Sequence, residues 1–184
     1  LLLHRKIIHG PPGTGKTFTL IKYLDKELKE NKIDPQKIVY ISFSNAAARE
    51  ARRRITDDLY HIGTMHSLGS NELEIDTNTQ LLKGNKWNSF KNFSQICRDM
   101  SFESYVNEAG YVEYMNPNRK VIQYARSRKL DLQQAAIDLD IIHLVDLGFV
   151  EQLNEDLKNF KDGTGMIEYS DMISQFVDKK KCPP

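Results

Sequence analysis

Gly10-Pro11-Pro12-Gly13-Thr14-Gly15-Lys16-Thr17 satisfies the pattern G-x-x-x-x-G-K-[ST] at every fixed position. The chemistry this spacing can do is to hold a phosphate chain. Gly10, Gly13 and Gly15 let the backbone curl and approach an anion with no Cβ in the way. The N–H groups of the loop, and those of Lys16, Thr17 and Phe18 in the first helical turn, then converge on one concavity where the helix dipole adds positive charge. The Lys16 ammonium would reach the β- and γ-phosphates of a nucleotide, and the Thr17 hydroxyl would ligate Mg²⁺. The competing interpretation is an ordinary glycine-rich turn between a strand and a helix.

The flanking residues favour the phosphate site. An apolar run ending in Ile7-Ile8-His9 precedes the loop, so residues 5–9 predict a buried strand. After it, Leu20, Ile21, Leu24 and Leu28 recur on one side of a predicted helix over 16–30. A turn at 31–35 leads to Lys37-Ile38-Val39-Tyr40-Ile41-Ser42-Phe43, a β-rich run suited to a parallel neighbour. Strand, helix and strand in so few residues make a βαβ unit with a right-handed crossover. Ser44 or Asn45 then caps a helix from Ala46 to about Asp57, and Tyr60-His61-Ile62-Gly63 predicts a short third strand.

Bulk properties narrow the class. The chain has 184 residues, 28% of them charged, and a net charge of +1, so any nucleic-acid surface must be local. Cys97 and Cys182 match no zinc or redox spacing, which suits a reduced, intracellular (cytoplasmic) protein. Leu1-Leu2-Leu3 is too short for a signal peptide or a membrane span, and no membrane partner is expected.

From about residue 70 the texture changes. Residues 72–85 are polar and predict a loop. Helices are predicted over 88–98, 119–129 and 131–138, and within 141–160, with a turn at 162–165 and a restarted helix from 166. The domain boundaries expected from this are 1–69 for the first part of an ATP-binding core, 70–162 for a mostly helical insertion, and 163–184 for a return to the core. Trp87 suits the core better than a base-stacking platform. Arg119, Lys120, Arg126, Arg128 and Lys129 form the densest basic cluster, either a partner-facing surface or a plain charged one. Glu168 and Asp171 suit a helix start, where acids meet the dipole, better than a catalytic acid–base pair.

Three further segments carry a family resemblance. Phe43-Ser44-Asn45-Ala46-Ala47-Ala48-Arg49-Glu50-Ala51-Arg52-Arg53-Arg54-Ile55 resembles the F-T-N-x-A-A-x-E-M-x-x-R-I motif of superfamily 1 DNA helicases of the UvrD/Rep/PcrA type, departing at Ser44 and Ala51. Gly63-Thr64-Met65-His66-Ser67 resembles the next motif, G-T-F-H-S, with Met65 for Phe. The segment from Met166 to Ile173 is similar to the L-D-F-x-D-L-L segment that introduces the Walker B strand. The three stand in family order behind the Walker A loop.

The resemblance implies an α/β fold: a P-loop, RecA-like parallel sheet with a helical insertion, truncated here before the Walker B strand. It implies that the chain is the N-terminal part of an ATP-dependent helicase that moves along single-stranded DNA and unwinds duplex DNA. It also implies that a second RecA-like domain of the same chain completes the ATP site. Phe43, Ser44, Asn45, Thr64, His66 and Ser67 would then contact DNA, through small polar groups on phosphates and an aromatic face on a base. For Phe43 and His66 the alternative is a core role. No D-E-x-x-D segment occurs in this sequence, so the fragment is expected to bind Mg–ATP with negligible turnover. Tyr60 follows the arginine-rich helix sooner than the family pattern implies. A small P-loop phosphotransferase of the nucleotide-kinase kind shares the phosphate loop and length, but it leaves the segments at 43–55 and 63–67 without a purpose.

Overall fold

The computed structural model describes residues 6–106 and 112–179. These fall into two compact units that divide between Met65 and His66.

In the first unit, helix α1 spans Lys16–Lys29, strand β1 Val39–Ser42, helix α2 Asn45–Arg54 and strand β2 His61–Thr64. β1 and β2 pair in parallel, Val39 opposite His61 and Ser42 opposite Thr64. A parallel pair needs a crossover, and α2 supplies it. Asp34 caps a single 3-10 turn over Pro35–Lys37 that turns the chain into β1. The core here is small: Ile21, Ala51, Ile55 and Leu59, with Leu24, Leu28, Ile38, Tyr40 and Ile62 packed around them. Leu20, expected on the buried side of α1, is 45% exposed, so the apolar stripe is narrower than the sequence suggests. Arg52 donates from Nε to the Ile62 carbonyl at 3.1 Å, tying α2 to β2.

The strand expected at 5–9 does not form over its described part. Residues 6–9 have no regular structure, and Ile7 is exposed. A strand is held by the ladder bonds of a neighbour, and among the described residues none pairs with this segment.

The second unit is mainly helical. Helix α3 spans Met65–Glu72, α4 Lys86–Phe93, α5 Pro117–Arg128, α6 Leu132–Asp138, α7 Leu147–Thr164 and α8 Tyr169–Asp178. An antiparallel pair, β3 at Ser104–Val106 and β4 at Val112–Tyr114, interrupts the helices and has no counterpart in the sequence expectation. Leu82, Trp87, Phe90, Cys97, Phe102, Val121, Ile122, Leu153, Leu157 and Phe160 lie in one continuous core. Trp87 is thus a core residue, stacked on Phe102 with ring centroids 4.7 Å apart.

Local signals account for the helix ends. Asn116 accepts from the Asn118 and Arg119 N–H groups at the start of α5, with Pro117 in the first turn. Asp131 caps α6 and Asp146 caps α7. Gly148 sits in the first turn of α7, where its weak helix propensity matters little. α7 also runs through Asp162 and Gly163, which the sequence assigns to a turn. It ends at Gly165, whose φ of 70° is the left-handed conformation that stops a helix. Residues 73–85, all but the first of the expected loop, are irregular as expected but not peripheral. Leu81 and Leu82 are buried, and Leu82 N–H donates to the Ile167 carbonyl at 2.8 Å. Compared with the expected boundaries, residues 166–179 lie in the same compact unit as the helices.

Candidate nucleotide and nucleic-acid sites

The loop from Gly10 to Gly15 is built to be open. Gly13 and Gly15 take φ values of 80° and 78°, and a Cβ at either would meet no atom within 4 Å. Empty space beside a left-handed backbone means glycine is needed for conformation, not for packing. Gly10 differs: a Cβ there would come within 2.6 Å of the Thr14 Oγ1. That hydroxyl donates to the Pro11 carbonyl at 2.8 Å and closes the loop on itself. Pro12 and Thr17 are exposed, and Phe18 is 56% exposed beneath the Lys22 ammonium, 4.7 Å from its ring centroid.

Lys16 is the first residue of α1, and its ammonium folds back over the loop. Nζ donates to the Gly10 and Pro11 carbonyls, each at 2.6 Å. Gly15 is the N-cap of this 14-residue helix, and no side chain caps it. The first-turn N–H groups of Lys16, Thr17 and Phe18 therefore face outward with the positive end of the helix dipole. A cation held over a glycine loop beside uncapped helix donors fits a polyphosphate. For a metal the fit is partial. Thr17 offers a hydroxyl, but among the described residues no cluster of three or more His, Cys, Asp or Glu could hold an ion.

At the C-terminal end of the parallel pair, Ser42 lies opposite Thr64, so Phe43, Ser44 and Asn45 leave the sheet beside Thr64. Phe43 is 86% exposed, which removes the core alternative. Ser44 caps α2, its Oγ accepting from the Ala47 N–H at 3.2 Å. Asn45 is exposed at the first position of that helix. His66 and Ser67 lie in the first turn of α3, in the second unit. His66 is exposed rather than buried, and its ring meets that of Tyr169 edge-on, centroids 5.1 Å apart at 83°. Partial desolvation lowers its pKa below the ordinary 6.5.

The basic cluster of α5 does not form one face. Arg119 is fully buried in an ion pair with Glu168. Its guanidinium lies 4.4 Å from the Tyr114 ring centroid and 4.9 Å from that of Trp87. Arg126 pairs with Glu168 at 2.7 Å and donates to the Asn154 Oδ1 at 2.8 Å. Lys120 pairs with Glu113 at 3.7 Å, and Arg128 lies over the Tyr124 ring.

Glu168 is thus the hub of a buried cluster that sequence reasoning missed. Arg119, Arg126 and Lys161 all reach its carboxylate, and Lys161 also reaches Asp171 at 2.6 Å. Burial would raise the carboxyl pKa, but Arg119, Lys161 and Arg126 outweigh it and hold it at about 2. Glu168 and Asp171 also form a reciprocal capping box at the start of α8. Glu168 is therefore structural, as a helix-start acid should be. The only sequence signal was an acid followed three residues later by another.

The chain matches the family of the UvrD/REP helicase N-terminal domain over residues 3–181 and belongs to it. Comparison with individually curated proteins gives no match. The family supports a helicase-type function in which DNA and ATP are the partners and does not favour the nucleotide-kinase alternative. Among the described residues no helix is long and apolar enough to cross a membrane.

Proposed function

We propose that this chain is the first RecA-like, ATP-binding domain of a superfamily 1 DNA helicase and that its Walker A loop binds Mg–ATP. The observation that carries the proposal is the Lys16 ammonium held over the Gly10 and Pro11 carbonyls beside an uncapped helix N-terminus. In this proposal Lys16 exchanges those carbonyls for phosphate oxygens. The loop N–H groups and those of Lys16, Thr17 and Phe18 take the remaining oxygens. Thr17 holds the Mg²⁺, which neutralises phosphate charge when bound.

Phe43, Ser44, Asn45 and Thr64 of the first unit, and His66 and Ser67 of the second, are each proposed to contact single-stranded DNA. Exposure of Phe43 supports a stacking role, and the α2 N-terminus under Ser44 supports a phosphate contact. We further propose that a second RecA-like domain supplies the groups for turnover. By itself this chain binds nucleotide and hydrolyses it negligibly.

Calorimetric titration with Mg–ATP tests this reading. Saturable binding that Lys16→Ala weakens at least tenfold is expected. Equal binding by both proteins, or steady phosphoryl transfer to a nucleoside monophosphate, would overturn it.

A further inference from the structure

Residues 168 and 169 are adjacent at the start of α8, yet their side chains make contacts of different kinds. Glu168 is pinned by Arg119 and Arg126 of α5 and by Lys161 of α7. Tyr169, 43% exposed, meets the His66 ring edge-on. One turn further along both helices the approach is also close. A Cβ on Gly69 of α3 would stand 3.5 Å from the Met172 side chain and 3.8 Å from the Phe176 Cβ. α3 and α8 are therefore in direct contact, with His66 over Tyr169 and Gly69 over Met172.

We propose that Tyr169 is a positioning residue for His66: its ring fixes the imidazole at the surface in the orientation a DNA contact requires. Edge-to-face packing is a preferred aromatic geometry and restricts rotation about the histidine side-chain bonds. An exposed histidine without such a neighbour samples several rotamers and must be ordered by its ligand, which costs affinity. The platform is itself immobilised, because the residue before Tyr169 is held by three cations from two helices. The proposal rests on the DNA-binding reading of His66 given above.

A double-mutant cycle on single-strand affinity, read by anisotropy of a fluorescent oligothymidylate, tests it. Tyr169→Leu, which keeps apolar bulk without the ring, is expected to weaken binding several-fold. His66→Ala should weaken it as much or more, and the double variant should be no weaker than His66→Ala alone. Tyr169→Phe, which retains the ring, should bind like the wild type. Effects of the two single changes that multiply would overturn the proposal, as would wild-type affinity in Tyr169→Leu beside a weakened His66→Ala. Thermal unfolding of each variant identifies any loss of fold.

A second readout does not depend on DNA. The His66 imidazole proton resonances should shift in Tyr169→Leu as the ring current disappears, and unchanged resonances would sink the contact outright. Were the wild type to bind no single strand, the DNA-binding reading would fail, and the positioning role with it. The resonances would still report whether the contact exists.

Discussion

The Arg119 guanidinium and the Glu168 carboxylate form an ion pair in which both side chains are almost wholly withdrawn from solvent. The pair joins α5 to the N-cap of α8 across 49 positions of sequence. Its partners are unequally served. Glu168 also has Arg126 and Lys161, whereas the Arg119 Nε and Nη1 donors have no hydrogen-bond partner among the described residues.

That asymmetry predicts unequal mutational costs. Glu168→Ala leaves the buried Arg119 guanidinium without its counter-charge, while Arg126 keeps Asn154 and Lys161 keeps Asp171, and should cost about 3–5 kcal/mol. Arg119→Met leaves Glu168 two cations and removes two unpartnered N–H donors. It should cost less than about 2 kcal/mol. Urea unfolding of the two variants checks the order, and equal losses would contradict it.

Acid should act on the same carboxylate. The folded-state pKa of about 2 lies below the ordinary 4.5. The stabilisation from Glu168 is therefore fully present above pH 4.5 and is lost as pH falls toward 2. It amounts to about 3 kcal/mol. The stability gap between wild type and Glu168→Gln, followed by urea midpoints across this window, should narrow by that order. A constant gap would refute the assignment.

The loop glycines should separate into two kinds. Gly15→Ala forces a Cβ onto a left-handed backbone, a strain of about 1–2 kcal/mol, and should weaken binding of a fluorescent ATP analogue. Gly10→Ala meets the Thr14 side chain and no backbone atom among its three nearest neighbours. Rotation of that side chain relieves the contact and breaks its bond to the Pro11 carbonyl. Its cost should fall within about 1 kcal/mol, measured by thermal unfolding.

His66 should titrate below 6.5 in an NMR pH series, because partial desolvation disfavours its charged form. Its contribution to stability is then present above pH 6.5 and lost as pH falls below it. Tyr169→Leu keeps a neighbour but exposes more of the ring, and should move the value back upward. An unmoved titration would show that Tyr169 does not cause the desolvation.

Some of this molecule is determined locally, and that part was legible in the sequence. The loop from Gly10 to Thr17 needs particular residues for particular dihedrals, and α1 follows it because Ile21, Leu24 and Leu28 share a face. Ser44, Asp131 and Asp146 each accept from an N–H three residues on; such a local cap made the start of α2 legible at Ser44 or Asn45, whereas α7 was placed only within 141–160. The ordered segments at 43–55, 63–67 and 166–173 carried the family. Tertiary structure decided what depends on distant partners. Residues 6–9 are apolar enough for a strand, but a ladder needs a neighbour that no local pattern supplies. Exposure of Phe43 and burial of Arg119 reverse what their residue types suggest, because burial is set by what packs opposite. A charge on α5 counts as surface or core only once Glu168, 49 positions on, is placed against it. The contact of His66 with Tyr169 likewise arises where α3 meets α8, which the periodicity of neither helix encodes.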